Sequence, residues 1–382
     1  MKALELFAGG GGLAMALSQT GFETSHVVEW DQWACKTLTH NRELLNCRHQ
    51  GAIEPTDVRA VRFADFEGQV DLVTGGPPCQ PFSLGGKHQA YDDRRDMFPQ
   101  AIRALREARP KAFMFENVKG LTRAAFQQYL EYIQHQLAYP GLEKRAGEEW
   151  TDHRRRLEQH HTAHHATELE YRVVARVVNA ADYGVPQRRE RLIIVGIRAD
   201  LNLEWHFPEP THSLAALVHD QWHGGNYWAR HGVKPRTDML TMPAVRGAIS
   251  RIDLDNKLPW LTTRDAISGL EDRTATTLAN HEFRAGARSY PGHTGSDLDL
   301  PSKTLKAGVH GVPGGENMFV KDDGTVRYFT AREAARVQTF PDEYVFSGAW
   351  SEAMRQIGNA VPVKLAAVVT GQLFKDLSAT AA

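Results

Sequence analysis

Residues 70–83 read Val-Asp-Leu-Val-Thr-Gly-Gly-Pro-Pro-Cys-Gln-Pro-Phe-Ser. Val70, Leu72 and Val73 have the apolar character of a strand buried in a parallel sheet. The strand breaks at Gly75-Gly76-Pro77-Pro78. Two prolines fix φ and donate no N–H, so the chain leaves the sheet stiff and extended. Cys79 follows at once. Open α/β sheets bind ligands at the carboxyl ends of their strands, which makes Cys79 a candidate thiolate nucleophile. A small thiol used only for packing is the alternative.

Working outward, residues 3–7 read as a first strand, Gly9-Gly10-Gly11-Gly12 as a tight turn, and Leu13 to Gln19 as a helix. Such a turn lets a ligand approach the backbone and the free N–H groups of a helix start. Four glycines in a row are not the GxGxxG dinucleotide pattern. The next strand, Thr24 to Val28, ends at Glu29-Trp30, about 20 residues after the turn, where nucleotide folds bind ribose hydroxyls. Trp30 is suited to cover an adenine face, although Glu29 also reads as a helix-start acid. An amphipathic helix is expected through Leu45, and Asp57-Val58 is expected to end a third strand near the adenine.

Beyond Cys79, Leu84 to Asp96 is a polar loop too long for a turn and is expected to act as a lid. Lys111 to Phe115 is another buried strand, with Glu116-Asn117-Val118 at its end. Strands joined by one crossover are commonly neighbours, so Cys79 and Glu116 should converge as a nucleophile and an acid/base partner. Residues 123–170 read as a charged helical insertion whose His160/His164 and His161/His165 pairs fit a solvated face better than a metal site. Arg172 to Val178 and Leu192 to Ile197 are strands, and Gln187-Arg188-Arg189-Glu190-Arg191 between them is a donor cluster suited to a carbonyl or phosphate.

From about residue 200 the chain becomes loop-rich, with a helix start at Thr263-Arg264-Asp265, and it suits a recognition surface. Its charges are balanced, so any contact with a polyanion would rest on single residues such as Arg284, Arg288, Lys303 and Lys306. Thr330 and Glu333 form a capping box, and Gln356 to Phe374 give a turn and an apolar helix that should return to the first domain.

The totals bound these readings. A length of 382 residues allows two domains. No window approaches the roughly 20 apolar residues of a membrane span, and the N-terminus reads as a strand, not a signal peptide. Three cysteines, an odd number, argue against a disulfide framework and for a reducing cytoplasm. No Cys/His spacing suggests a metal. A net charge of −1 does not advertise a nucleic-acid binder, so any polyanion must meet local basic clusters.

Taken together, FAGGGGLAMAL, the acid of VEWD, GGPPCQPFS, ENV, QRRER, RYFTAREAARVQTFPDEY and QIGNAVP occur in the order of the DNA cytosine-5 methyltransferases, and the chain resembles that family over essentially its whole length. The form is that of a compact bacterial modification enzyme. The resemblance implies an α/β fold: a Rossmann-like mixed sheet with helices on both faces. It implies a catalytic and cofactor-binding domain at 1–200, a target-recognition domain at 201–330, and a return segment at 331–382. It implies S-adenosylmethionine as methyl donor, leaving as S-adenosylhomocysteine, and no metal. Cys79 would attack cytosine, Glu116 hold its N3 and amine, Arg191 its O2 carbonyl, and Arg189 support the pocket. The donor would lie on Phe7, Ala8, Gly9, Gly10, Gly11, Gly12 and Leu13, with Glu29, Trp30, Asp57, Val58, Pro78, Met97, Asn359 and Val361 completing its site. DNA contacts would come from Ser83 and Lys87 of the lid and from Thr304-Leu305, beside the basic residues above. The expected partners are double-stranded DNA and a cognate restriction endonuclease, with the enzyme a cytoplasmic monomer. A tRNA methyltransferase of the same fold is disfavoured because no cysteine follows Cys79, and a non-catalytic relative because Cys79 and Glu116 are both present.

Overall fold

The structure is a computed structural model that describes residues 1–49, 51–78, 96–163, 167–249, 256–270, 278–307 and 317–380. Cys79, Ser83, Lys87, His164 and His165 lie outside the described residues, as does nearly all of the expected lid. The chain divides into two compact units. One comprises Met1–Val178, Glu190–Phe207 and Val369–Ala382, the other Asn179–Arg189 and Pro208–Val368.

The first unit is built on β1 (Lys2–Leu6), β2 (Glu23–Val28), β3 (Leu72–Gly75), β4 (Ala112–Val118), β5 (Tyr171–Asn179) and β6 (Glu190–Arg198), in the sheet order β2-β1-β3-β4-β6-β5. β1 pairs in parallel with β2 and β3, and β3 with β4, whereas β6 runs antiparallel to β4. The sheet is therefore mixed. Helices α1 (Gly12–Gln19), α2 (Gln32–His40), α3 (Phe98–Ala108), α4 (Gln127–Ala138) and α5 (Trp150–Thr162) connect the strands. Leu4, Leu6, Val73, Phe113 and Phe115 of the sheet pack with Phe98, Leu105, Ile133 and Leu157 of the helices. Gly75 is required by that packing, because a Cβ there would lie 2.6 Å from the Leu6 carbonyl oxygen on the neighbouring strand.

Some expectations need correction. The second helix stops at His40, well short of Leu45, where Asn41 folds its side-chain amide back onto the Thr37 carbonyl at 2.7 Å. Asp57-Val58 does not end a strand. Asp57 caps the short 3-10 turn Val58–Ala60 and accepts from the Arg59 guanidinium at 2.6 Å, while the Val58 side chain joins the core. The insertion is helical as expected, in two helices, with residues 139–149 between α4 and α5.

The second unit holds β7 (His212–Ser213), α6 (Leu214–Trp222), α7 (Tyr227–His231), α8 (Pro243–Ile249), β8 (Leu258–Pro259), α9 (Thr263–Ile267), β9 (Met318–Val320), β10 (Val326–Tyr328), α10 (Ala331–Val337) and α11 (Trp350–Asn359). Gln356 to Asn359 thus end a helix where a turn was expected. α9 and α10 begin with capping boxes, Thr262 with Asp265 and Thr330 with Glu333. With such short elements, polar side chains bind the loops. Asp299, fully buried, takes the Arg264 guanidinium at 2.7 Å and the Tyr227 hydroxyl at 3.0 Å. Arg332, also fully buried, donates to the carbonyls of Ala279, Pro341 and Tyr344.

The last helix, α12 (Val363–Ala379), ends in the first unit, with Phe374 edge-on to Phe22 at 5.1 Å and Thr370 3.2 Å from Thr20. Trp350–Ala379 is long and apolar enough by composition to cross a membrane, and 61% of its apolar window is buried, as in a core helix.

Candidate active site

β3 and β4 run in parallel register, Gly75 opposite Phe115, so the Gly76 turn and Glu116 leave the sheet side by side. A Cβ on Gly76 would lie 3.4 Å from the Glu116 carboxylate, an ordinary contact distance that places the turn directly beside Glu116. Glu116 is 9% exposed. Its Oε1 accepts from Arg191 Nε at 2.7 Å, across the antiparallel β4–β6 pair. A nearly buried carboxylate is tolerable with such a partner. Asn117 donates its amide to the Pro77 carbonyl at 3.0 Å and fixes the turn from which residue 79 departs. The Met97 N–H donates to the Pro78 carbonyl at 3.0 Å, and the Tyr129 hydroxyl bonds the Asp96 carboxylate. Pro78 and Met97, both expected at the donor site, are thereby neighbours.

At the carboxyl end of β1, where Leu6 stands opposite Gly75 of β3, the chain turns through Phe7, at φ 55°, a left-handed conformation unusual for an aromatic residue. Gly9 and Gly11 follow with φ of 53° and 81°, and Ala8, Gly10, Gly12 and Leu13 are buried behind them. Glu29 holds this turn. Its Oε2 accepts from the Gly9 N–H at 2.7 Å, and its Oε1 from the N–H groups of Trp30 and Asp31 at 2.8 and 2.7 Å. A carboxylate offers about four lone-pair sites, so one remains for a ligand hydroxyl. Trp30 is 72% exposed beside it. Open space lies over Gly9, where a Cβ would meet nothing within 4 Å. These residues fit an adenosine-bearing donor: an acceptor for ribose, a free indole face and an uncovered backbone turn.

The other two cysteines are poor nucleophiles. Burial, reinforced by Glu29 and Asp31, pushes the Cys35 thiol up to about 12, and burial also raises Cys47.

Arg189 and Arg191 part company. Arg189 is 1% exposed and belongs to the second unit, where it donates to the carbonyls of Leu305 (2.9 Å), Gly358 (2.8 Å) and Ala360 (3.1 Å). It supports the backbone on both sides of Asn359. A Cβ on Gly358 would come within 2.5 Å of the Lys306 carbonyl carbon, so this contact demands glycine. Asn359 is exposed and Val361 buried in the same unit. Leu305 is fully buried with its N–H on Gln187 Oε1 at 3.1 Å, which places its side chain behind the surface. Thr304 donates its hydroxyl to the Arg188 carbonyl, Lys303 its ammonium to Thr294, and Lys306, Arg284 and Arg288 are exposed.

The profile of the C-5 cytosine-specific DNA methylases matches residues 1–142 and 148–375. The chain belongs to that family. As a C-5 cytosine-specific DNA methylase, it transfers a methyl group to C5 of cytosine in DNA. It is 32% identical to the Type II methyltransferase M.PspPI of Psychrobacter sp. over 98% of this chain and 79% of that protein. It is 31% identical to M.Eco47II of Escherichia coli over 96% and 77%. The crystal structure of the S. pombe Dnmt2 methyltransferase shares the fold at TM-score 0.57, with 17% identity and 99% of both chains covered.

Three residues of this methylase have partners that the sequence reading did not give them. Asn117 stood within a quoted motif, but its bond to Pro77 depends on the β3–β4 register. Gln187 bridges Leu305 and Gln338. Glu5, fully buried in β1, has its carboxyl pushed up to about 8, by burial first and by Glu29 further, against the Ala14 amide. In the insertion, Tyr139 bonds His161 and stacks edge-on with His160, while Tyr132 bonds His153. Among the described residues no group of three His, Cys, Asp or Glu is placed to hold a metal ion.

Proposed function

We propose that the methylase works through a covalent adduct between Cys79 and a cytosine flipped out of duplex DNA. The observation that carries this reading is Glu116, fixed by Arg191 at 2.7 Å beside the Gly76-Pro77-Pro78 turn that delivers residue 79. C5 of cytosine is a weak nucleophile. Addition of the Cys79 thiolate to C6 makes C5 electron-rich while Glu116 protonates or hydrogen-bonds N3, so charge does not build on the ring. Arg191, already orienting Glu116, offers its remaining donors to the O2 carbonyl. C5 takes up the methyl group as that group's bond to the donor sulfonium breaks and leaves a thioether. Water then removes the C5 proton, and the electron pair left behind expels the Cys79 thiolate from C6 and restores the aromatic ring. S-adenosylmethionine, bound on Glu29, Trp30 and the Gly9–Gly12 turn, supplies the electrophilic methyl group. The raised thiols of Cys35 and Cys47 support the assignment of the nucleophile to Cys79. Flipping costs roughly a few kcal/mol of unstacking.

Residues 201–330 are read as the target-recognition region and the remainder as the catalytic part, acting as a monomer on DNA. The names of the relatives support a modification enzyme with a cognate endonuclease. Incubation with DNA carrying 5-fluorocytosine tests the mechanism, because fluorine cannot leave as a cation and the adduct should persist. Mass spectrometry is expected to find it on Cys79 and to lose it in Cys79→Ala; an adduct on Cys35 or Cys47, or an active Cys79→Ala, overturns the mechanism.

A further inference from the structure

Among the described residues only three Phe, Tyr or Trp side chains are largely exposed: Trp30, Phe283 at 42% and Tyr290 at 44%. Trp30 belongs to the donor turn. The other two lie in one short segment of the second unit, 282–293, which carries Arg284 and Arg288 against one acid, Glu282.

Each exposed ring is backed on one side. The Arg327 guanidinium lies 4.8 Å from the Phe283 ring, and buried Glu333 holds that guanidinium at 2.6 Å. The Tyr290 ring lies 4.4 Å from that of His293, which is 5% exposed. Tyr290 and His293 also close a turn, each N–H donating to the other's carbonyl at 3.0 and 2.8 Å, with Pro291 followed by Gly292 at φ 86°. The Arg284 guanidinium is carried on the Trp350 ring at 4.8 Å, and it makes no ion pair among the described residues. Phe283, Arg284 and Trp350 line a cavity of about 190 Å³. A half-exposed ring held by its neighbours is a ready platform for a flat partner, and aromatic–base stacking is tolerant of sequence. Two arginines against the single acid Glu282, which lines the same cavity, leave the segment net basic and suited to a polyanion.

We infer that Phe283 and Tyr290 stack on nucleobases of the DNA substrate, with Arg284 and Arg288 on the adjoining phosphates. The inference rests on DNA being the substrate and goes beyond it by naming the side chains and their mode of contact. Flipping leaves bases without a stacking neighbour, and preformed aromatic faces replace what they lose.

The probe is bacterial genomic DNA lacking cytosine methylation, which contains the site whatever its sequence. Phe283→Ala and Tyr290→Ala are each expected to raise KM for this DNA about ten-fold to a hundred-fold and to leave KM for S-adenosylmethionine unchanged. Tyr290→Phe, which keeps the ring, should behave as wild type. Photocrosslinking to DNA carrying 5-iododeoxyuridine should give adducts on Phe283 and Tyr290. Wild-type KM for DNA in both alanine variants, or adducts confined to other residues, overturns the inference. If the alanine variants lose S-adenosylmethionine affinity through misfolding, Phe283→Leu decides: a raised KM for DNA supports stacking, and an unchanged one refutes it. A wild type that transfers no methyl group would fail the activity reading instead, and DNA affinity of the same variants would still decide the stacking.

Discussion

Arg189 and Arg191 are two residues apart, yet they serve units ordered in different ways. Arg191 stands in a sheet whose hydrogen-bonded strands and apolar faces fix its position, so its guanidinium is free to orient Glu116. Arg189 is spent on backbone: three carbonyls of the second unit converge on it. Arg264 and Arg332 do similar work there. The first unit draws rigidity from regular structure and can leave polar groups for chemistry. The second has little regular structure, and its buried carbonyls and carboxylates need partners that its short strands cannot supply.

That contrast can be broken by exchange of a few atoms. Glu116→Gln keeps the shape of the side chain and should lower kcat about 10²–10⁴-fold, with a smaller loss of thermal stability by calorimetry than Arg189→Ala, because the amide oxygen still accepts from Arg191. If kcat holds, Glu116 is structural and the contrast fails. Arg189→Ala should do the reverse to stability, removing about 3–5 kcal/mol because three buried carbonyls lose their donor. Urea denaturation reads this directly, and a loss under 1 kcal/mol would mean that water replaces the guanidinium.

The smallest effect sharpens the account of the first unit. Glu5 has its folded-state carboxyl raised from 4.5 to about 8, so the folded chain binds the proton more tightly than the unfolded one. Its contribution is fully present below pH 4.5 and is lost as pH rises toward 8. Glu5→Gln should remove that slope, gaining about 3 kcal/mol relative to wild type between pH 5 and 8. Parallel pH slopes in melts of the two proteins would show that Glu5 is ionised in the fold throughout.

Much of this was legible in the residues. The strand at 72–75 and its proline exit, the glycine turn with Glu29, and the capping box at Thr330 rest on local rules. The alternation in 187–190, with Gln187 and Arg189 buried and Arg188 and Glu190 exposed, was not read, because the run reads first as a single donor cluster. What stayed hidden depends on partners distant in sequence. Arg189 finds its carbonyls 116 to 171 residues away. The apolar periodicity that suggested a helix to Leu45 does not register that the Asn41 side chain folds back onto its own helix's last turn. The Asp57 turn was misread because a local Arg59 pair outweighs a weak strand propensity.

The close approach of Gly358 to Lys306 has a practical side for protein engineers. Recognition segments are natural cargo for exchange between relatives, and a chimera is judged by its seams. Here the segment 302–307 and the helix end at 356–360 are interlocked by one glycine and one arginine. A graft joined before Arg189 inherits this lock intact, whereas a seam between Arg189 and Ala360 divides it, and both parents must then supply the arginine and the glycine.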